Sequence, residues 1–204
     1  MKKISKILAA NRSEIAIRIF RAAEESGIKT AAIYSKEDRF AIHRFKTDES
    51  YLVGEGKGPI QAYLDIDSII KIAKDAKVDA IHPGYGFLSE SPELAEQCEK
   101  NDITFIGPSK EILKRFGNKT EAKKVAEEAK VGTVPSVLVT KENLKSVEKE
   151  VEKIGYPVIV KASWGGGGRG MRVVRSSNEL IDQITTAQSE SLKAFGKDEV
   201  FIEK

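Results

Sequence analysis

Short apolar runs alternate with helical stripes along the first hundred residues of the chain. The runs Lys6–Ala10, Lys29–Ser35, Val78–His82 and Ile103–Ile106 predict four buried strands. Between them, apolar residues recur at helical spacing. The stripes are Ile15, Ile19 and Ala22, then Ile66, Ile69, Ile70 and Ala73, and finally one through Leu94 and Cys98. This alternation predicts an α/β fold, a Rossmann-like doubly wound parallel sheet over residues 1–116, with helices on both faces.

The pattern changes after Pro108. Helical sequence continues to about Lys130 with an interruption near Gly117, so residues 117–134 predict a helical connector. From Pro135 onward the strands are short and separated by glycine, which predicts a small α+β subdomain over residues 135–204. Its predicted strands and helices are Ser136–Thr140, Lys141–Ile154, Pro157–Ala162, Met171–Arg175, Ser177–Phe195 and Glu199–Glu203.

Composition narrows the range of functions. Lysine and arginine number 34 against 31 acidic residues, and so even a balance argues against a nucleic-acid partner. A single cysteine, Cys98, excludes an intrachain disulfide and is typical of a reducing compartment. The apolar run Ile7–Ala10 is too short for a signal-peptide core, and no stretch is long enough to span a membrane. We therefore expect a cytoplasmic protein with no membrane partner.

The strongest chemical signal is the segment Lys161-Ala-Ser-Trp-Gly-Gly-Gly-Gly-Arg-Gly-Met171, which lies between two predicted strands. Glycines let successive backbone N–H groups surround an anion, and Lys161 and Arg169 add positive charge. The segment is neither a Walker A motif nor a dinucleotide fingerprint, because no Gly-Lys-Ser/Thr follows the glycines and a strand comes next. We interpret it as a phosphate-binding loop, and a plain hairpin turn is the alternative.

A second candidate is the loop His82-Pro-Gly-Tyr-Gly-Phe-Leu-Ser-Glu90, which follows a predicted parallel strand. Ligand crevices lie at the carboxyl ends of such strands, but a turn that Phe87 and Leu88 anchor to the core explains the spacing equally well. We expect His82 to be a core or supporting residue. Asn11 or Ser13 is expected to cap the first helix. Cys98 is expected to be a buried structural thiol.

Metal ligands are scarce. The chain has two histidines, which excludes a zinc site of the common kinds, and no convincing carboxylate pair for Mg²⁺ precedes residue 204.

Six segments in this order resemble the biotin carboxylase family of ATP-grasp ligases. They are Ile7–Arg18, Asp79–Glu90, Phe105–Ser109, Gly117–Ala122, Tyr156–Ala162 and Gly165–Val174. Within that family the chain is most similar to the amino-terminal part of pyruvate carboxylases, through His43–Tyr51, Gln61–Asp65, Ser189–Gly196 and Trp164. The resemblance implies an ATP- and bicarbonate-dependent carboxylation of biotin, with biotin as a carrier substrate on its own domain.

The resemblance also implies roles for individual residues. Lys119 and Lys161 would contact ATP phosphates, with Gly167, Gly168 and Met171 in a lid over the nucleotide. Glu203 and the backbone of Lys204 would meet the adenine, and Tyr85 would lie near the biotin pocket. No residue of the chain is assigned to catalysis or to metal binding.

The last predicted strand has no following turn, which indicates a piece of a longer chain. The resemblance places the Mg²⁺ ligands beyond residue 204, so we expect no biotin carboxylation by this chain alone and oligomerisation with the rest of a carboxylase. Three alternatives stay open: a subunit of an acyl-CoA carboxylase, a non-catalytic docking or dimerisation module, and another ATP-grasp ligase that joins a carboxylate to an amine.

Overall fold

A computed structural model shows two compact units, Met1–Lys114 and Arg115–Lys204. The residues that the structure describes are 3–117, 119–140, 143–144, 146–163, 171–196 and 198–204.

In its described residues, the first unit contains a sheet of five parallel strands in the order β3-β2-β1-β4-β5. The strands are β1 (Lys6–Ala9), β2 (Lys29–Tyr34), β3 (Glu49–Leu52), β4 (Ala80–His82) and β5 (Thr104–Phe105). The α-helices that begin in this unit are α1 (Ser13–Glu25), α2 (Pro59–Tyr63), α3 (Ile66–Asp75), α4 (Pro92–Lys100) and α5 (Lys110–Gly117). Two 3₁₀ turns, Glu37–Phe40 and Ile42–Phe45, precede β3.

The first sheet is buried on both faces, as the near-continuous apolar runs of its strands predict. Ile7 and Ala9 of β1 pack with Ala16, Ile19 and Phe20 of α1 on one face. Because side chains alternate along a strand, Leu8 belongs to the other face, which α3 and α4 cover. This arrangement confirms the predicted doubly wound sheet. The strand order reverses at β1, so its carboxyl end and that of β4 border the crevice where such sheets bind ligands.

The secondary structure and burial of this unit differ from the sequence prediction at β3 and at Ala22. The edge strand β3 was not predicted, because Glu-Ser-Tyr-Leu is only half-buried and lacks an apolar run. Ala22 was predicted on the buried face of α1, but it is exposed and Ala23 is buried instead. Ala22 lines an open apolar cleft of about 440 Å³ together with Ile15 and Ile19.

In the part of the second unit that the structure describes, the sheet is antiparallel and four-stranded, in the order β6-β9-β7-β8. The strands are β6 (Ser136–Val139), β7 (Val158–Ala162), β8 (Arg172–Val174) and β9 (Val200–Glu203), and the helices are α6 (Lys119–Glu128), α7 (Val147–Ile154) and α8 (Ser177–Phe195). One face of the sheet forms a core with α7 and α8 through Val158, Val160 and Ile202. Glu179 accepts hydrogen bonds from the backbone of Arg175 and Ser176 and so secures the start of α8, as its spacing predicts.

Across the described residues, no helix combines the length and the apolar composition that crossing a bilayer requires.

The two histidines should make stability depend on pH. His43 is fully buried, with Nε2 3.1 Å from the carbonyl oxygen of Ile33 and Nδ1 unpartnered. Burial lowers the pKa of His43 and also that of His82. Below about pH 6.5 the unfolded chain therefore takes up protons that the folded chain resists, so the free energy of unfolding should fall, by at most about 1.4 kcal/mol per pH unit for each histidine.

Urea unfolding at about pH 7, 6 and 5, followed by NMR through the amide signals of the first unit, measures this loss in the free energy of unfolding. The variant His43→Phe should show a shallower loss than the unaltered chain. The acidic groups of this unit whose pKa values are lowered lose their contribution only as the pH falls towards 4 or below, outside this window. They are Asp48, Glu49, Asp65, Glu96 and Glu111. A stability that does not change between pH 7 and 5 would contradict the prediction.

Candidate functional site

The face of the second sheet that lies away from α7 and α8 carries the charged residues of interest. Along β7, Val158, Val160 and Ala162 point into the core, so Ile159 and Lys161 point to the opposite face. The register pairs Lys161 with Phe201 and Ile159 with Glu203. Lys161, Phe201 and Glu203 therefore share the face that lies away from α7 and α8, with Lys161 and Glu203 as diagonal neighbours.

Glu203 bridges two ammonium groups on this face. Its Oε1 atom accepts a hydrogen bond from Lys123 Nζ at 2.7 Å, and its Oε2 atom pairs with Lys161 Nζ. The Glu203 side chain is 14% exposed. Burial acts to raise the pKa of this carboxyl, but the two ammonium groups outweigh it and hold the pKa of Glu203 below its usual value. The three side chains, which we call the Glu203 bridge, carry a net charge of +1.

Lys123 has three contacts that fix its position. Besides Glu203, its Nζ atom donates to the carbonyl oxygen of Val134 at 3.2 Å and lies 5.4 Å from the ring centroid of Phe201. Sequence reasoning did not single out this lysine. The available signal was its spacing, since Lys123 precedes Ala126 by three residues and so lies on the same face of α6.

The structure describes some of the other predicted site residues of this unit. Met171 is exposed directly before β8, whose register pairs Arg172 with Val160, so Met171 lies beside Lys161. The backbone N–H of Lys204 donates to the carbonyl oxygen of Pro135 at 3.1 Å. Lys119 is described only as the first residue of α6. Gly167 and Gly168, with Trp164 and Arg169, lie outside the described residues.

In the first unit, Asn11 holds the loop His82–Glu90 at the end of β4, which we call the clamped loop. Its Nδ2 atom donates to the carbonyl oxygens of Pro83 at 2.7 Å and Tyr85 at 3.0 Å, and its Oδ1 atom accepts from the backbone N–H of Arg12. Asn11 is fully buried. The prediction that Asn11 or Ser13 caps α1 is wrong, because Arg12 is the N-cap residue and the Asn11 amide faces the loop instead.

The side chains of this loop divide between core and solvent. His82 is half-buried and its Nδ1 atom accepts from the backbone N–H of Gly84 at 2.9 Å, a supporting role as predicted. Phe87 stacks on the buried ring of Tyr63 at 5.1 Å between centroids, which anchors the loop. Tyr85 is 66% exposed. The loop thus presents Tyr85 to solvent at the carboxyl end of β4.

Arg12 completes the anchoring of the loop. Its guanidinium lies 5.7 Å from the ring centroids of both Tyr63 and Phe87 and 3.2 Å from Oδ2 of Asp38. The Tyr63 hydroxyl donates to the same carboxylate oxygen at 2.7 Å. Burial, then this hydrogen bond, raises the pKa of Tyr63. These contacts were not predicted from the sequence, since they join residues from four separate segments.

Cys98 is fully buried on α4, and burial raises the pKa of its thiol to about 12. This agrees with a structural residue, as predicted. Among the described residues, no three histidine, cysteine, aspartate or glutamate side chains gather in a group that could hold a metal ion.

The structure, with its doubly wound parallel sheet and its antiparallel sheet, matches solved biotin carboxylase domains, whose fold is of the ATP-grasp type. Residues 3–113 match the family described as "Biotin carboxylase, N-terminal domain", and residues 118–204 match "Carbamoyl-phosphate synthase L chain, ATP binding domain". Because the first match alone spans more than half of the chain, the chain belongs to the biotin carboxylase family.

Relatives support the same assignment. The chain is 56% identical over 203 residues to the pyruvate carboxylase of Bacillus subtilis and 50% identical over 203 residues to the mitochondrial pyruvate carboxylase of Homo sapiens. Both alignments cover 100% of this chain, but only 18% and 17% of the relatives. The chain is thus homologous to the biotin carboxylase domain of pyruvate carboxylases, as the sequence resemblance predicted, and spans less than a fifth of their length.

Solved structures agree with this. A pyruvate carboxylase of Rhizobium etli with acetyl coenzyme A has a TM-score of 0.88 at 54% identity, covering 100% of this chain and 18% of the other. The biotin carboxylase domain of the Hydrogenobacter thermophilus 2-oxoglutarate carboxylase, in complex with MgADP, ADP and bicarbonate, has a TM-score of 0.92 at 41% identity. That comparison covers 100% of this chain and 45% of the other.

Two glycines of the clamped loop provide a matched test of its packing. A Cβ atom at Gly84 would lie 2.4 Å from Cγ2 of Ile15 and 2.8 Å from Nδ2 of Asn11, whereas one at Gly86 meets nothing within 4 Å. Both glycines have positive φ, +67° and +70°, so both alanine variants incur about 1 kcal/mol for the left-handed backbone. Gly84→Ala should lose about 1–3 kcal/mol more, because the Asn11 amide is held by two hydrogen bonds and cannot move freely.

Urea unfolding of the two variants measures the difference. Equal losses of stability in the two variants would show that the Asn11 side chain can move aside, which would contradict the packing argument.

Proposed function

We propose that the second unit binds the phosphates of ATP. Lys161 carries the proposal, because its partly exposed side chain lies near the end of a buried strand, shortly before the glycine-rich loop, on the face of the sheet away from α7 and α8. An ammonium in that position can neutralise a phosphate oxygen as a point charge. Lys119, Gly167, Gly168 and Met171 complete the proposed phosphate and lid contacts.

The match of residues 118–204 to an ATP-binding domain family supports this proposal, as does the MgADP in the complex of the Hydrogenobacter thermophilus relative. Phosphoryl transfer is catalysed largely by positioning and charge neutralisation, which is what lysines and a glycine loop supply.

Glu203 and Lys204 are proposed to lie near the adenine. The N–H of Lys204 is already bonded to the carbonyl oxygen of Pro135, so the backbone group that it offers to a base is its carbonyl. Glu203 ends the same strand, on the face that carries Lys161. The nucleotide would then extend from the end of β9, at the adenine, towards the end of β7, at the phosphates.

The proposed reaction is the carboxylation of biotin. An oxygen of bicarbonate attacks the γ-phosphorus of ATP, and ADP leaves. The resulting carboxyphosphate breaks down to carbon dioxide and phosphate, and biotin N1 attacks the carbon dioxide as its own proton leaves. Tyr85, exposed on the clamped loop, is proposed to lie near biotin. Biotin would reach the site on a carrier domain.

Mg²⁺ accompanies the nucleotide in the family, but the described residues of this chain do not fit a magnesium site. No group of three potential ligands is present among them, and the carboxylate of Glu203 is already shared by two lysines. We therefore assign no residue of the chain to the metal. For the same reason we propose that this chain alone does not carboxylate biotin.

Calorimetric titration of MgATP into the chain tests the phosphate site. Lys161→Met keeps the length of the side chain and removes its charge. A hydrogen bond to a charged group contributes about 1.5–3 kcal/mol, so the variant should bind MgATP roughly tenfold to a hundredfold more weakly. Lys153→Met, which removes a solvent-exposed charge from α7, is the matched control and should bind like the unaltered chain.

Adenosine, which lacks phosphates, separates the two halves of the proposed site. It should bind the unaltered chain and Lys161→Met equally. Equal MgATP affinity in those two proteins would overturn the phosphate assignment. ATP turnover that depends on both bicarbonate and biotin, in this chain alone, would overturn the proposed inactivity.

A further inference from the structure

Lys123 and Lys161 share one carboxylate but are held very differently. Lys123 has three contacts: Glu203, the carbonyl oxygen of Val134 and the ring of Phe201. Within the part of the chain that the structure describes, the ammonium of Lys161 is paired with Glu203 alone. Lys123 is therefore the fixed member of the Glu203 bridge, and Lys161 is the member that can move with least loss.

The buried charge of Glu203 requires that at least one lysine stays paired with it. The Glu203 side chain is 14% exposed, so an unneutralised carboxylate there would lose most of its hydration without compensation. If Lys161 left for another anion, Glu203 would still be paired with Lys123 at 2.7 Å. Without Lys123, every departure of Lys161 would leave a largely buried carboxylate unpaired.

We propose that Lys123 is a positioning residue for the nucleotide site: it keeps Glu203 neutralised and in place, so that Lys161 can exchange the carboxylate for a phosphate oxygen. This inference rests on the proposed function of Lys161. Lys123 itself does not touch the nucleotide, because its ammonium is directed at Glu203, Val134 and Phe201.

A double-mutant cycle on MgATP affinity tests the inference. In Lys123→Met, Glu203 depends on Lys161 alone, so phosphate must compete with a stronger pair and MgATP should bind about fivefold to tenfold more weakly. In the Glu203→Gln background the carboxylate charge is absent, so adding Lys123→Met should change the affinity less than twofold. Lys123→Arg restores the charge and should lie within threefold of the unaltered chain.

Lys124→Met is the matched control. It removes the same charge one residue further along α6, where the ammonium is paired with exposed Glu121, and it should leave MgATP affinity unchanged. Far-ultraviolet circular dichroism of every variant confirms that each is folded before titration.

The outcomes are separable. If Lys161→Met weakens MgATP binding but Lys123→Met does not, the inference is overturned and the proposed phosphate site stands. If Lys123→Met weakens binding by the same factor in the unaltered chain and in the Glu203→Gln background, Lys123 acts on phosphate directly and the positioning role is overturned. If the unaltered chain and Lys161→Met bind MgATP alike, or neither binds it, both proposals fail. A loss that disappears in the Glu203→Gln background supports the inference.

Discussion

Neutralisation of one carboxylate governs the arrangement of the second unit's charged face. Glu203 ends a strand in a largely buried position, where a carboxylate is tolerated only if cations satisfy it. Both cations come from elements far away in the sequence, Lys123 lying 80 residues and Lys161 42 residues before Glu203. The Glu203 bridge therefore ties α6, β7 and β9 together on the side of the sheet that α7 and α8 leave uncovered. Its geometry follows from electrostatics acting on an antiparallel register that the apolar core sets independently.

The first unit secures its loop with an uncharged group. Asn11 is fully buried and uses both its amide hydrogens and its carbonyl oxygen, so the clamp is satisfied within the fold. A neutral clamp of this kind does not respond to the charge of a ligand. Under the proposed function the Glu203 bridge would respond, because an arriving phosphate would compete with the carboxylate for the same ammonium. In the described residues, the first unit thus fixes its loop with neutral hydrogen bonds, whereas the second sets one carboxylate and two ammonium groups where we propose that a phosphate of ATP binds.

Much of this architecture could be predicted from local sequence. The buried parallel strands and the stripes of α3 and α4 follow from apolar periodicity, and the capping of α8 follows from the spacing of Ser176 and Glu179. Strand β3 could not be predicted, because an edge strand needs neither an apolar run nor a strict alternation. Nor could the roles of Asn11 and Lys123. Their contacts depend on register and loop conformation. The spacing of Lys123 from Ala126 places the two on one face of α6, but it does not indicate which carboxylate the lysine pairs with.

A lone lysine at the end of β7 would be a poor phosphate ligand. Its side chain carries about 2 kcal/mol of rotamer entropy, which a ligand would have to overcome by ordering it. Pairing with Glu203 orders Lys161 in advance, but a half-buried one-to-one ion pair would also resist exchange. The second lysine would resolve this conflict, since Glu203 divides its two oxygens between Lys123 and Lys161 and would stay paired with Lys123 if Lys161 exchanged it for a phosphate, as we propose. To order Lys161 in advance and still leave it free to exchange partners takes one carboxylate and two ammonium groups. The Glu203 bridge is the smallest arrangement that provides them.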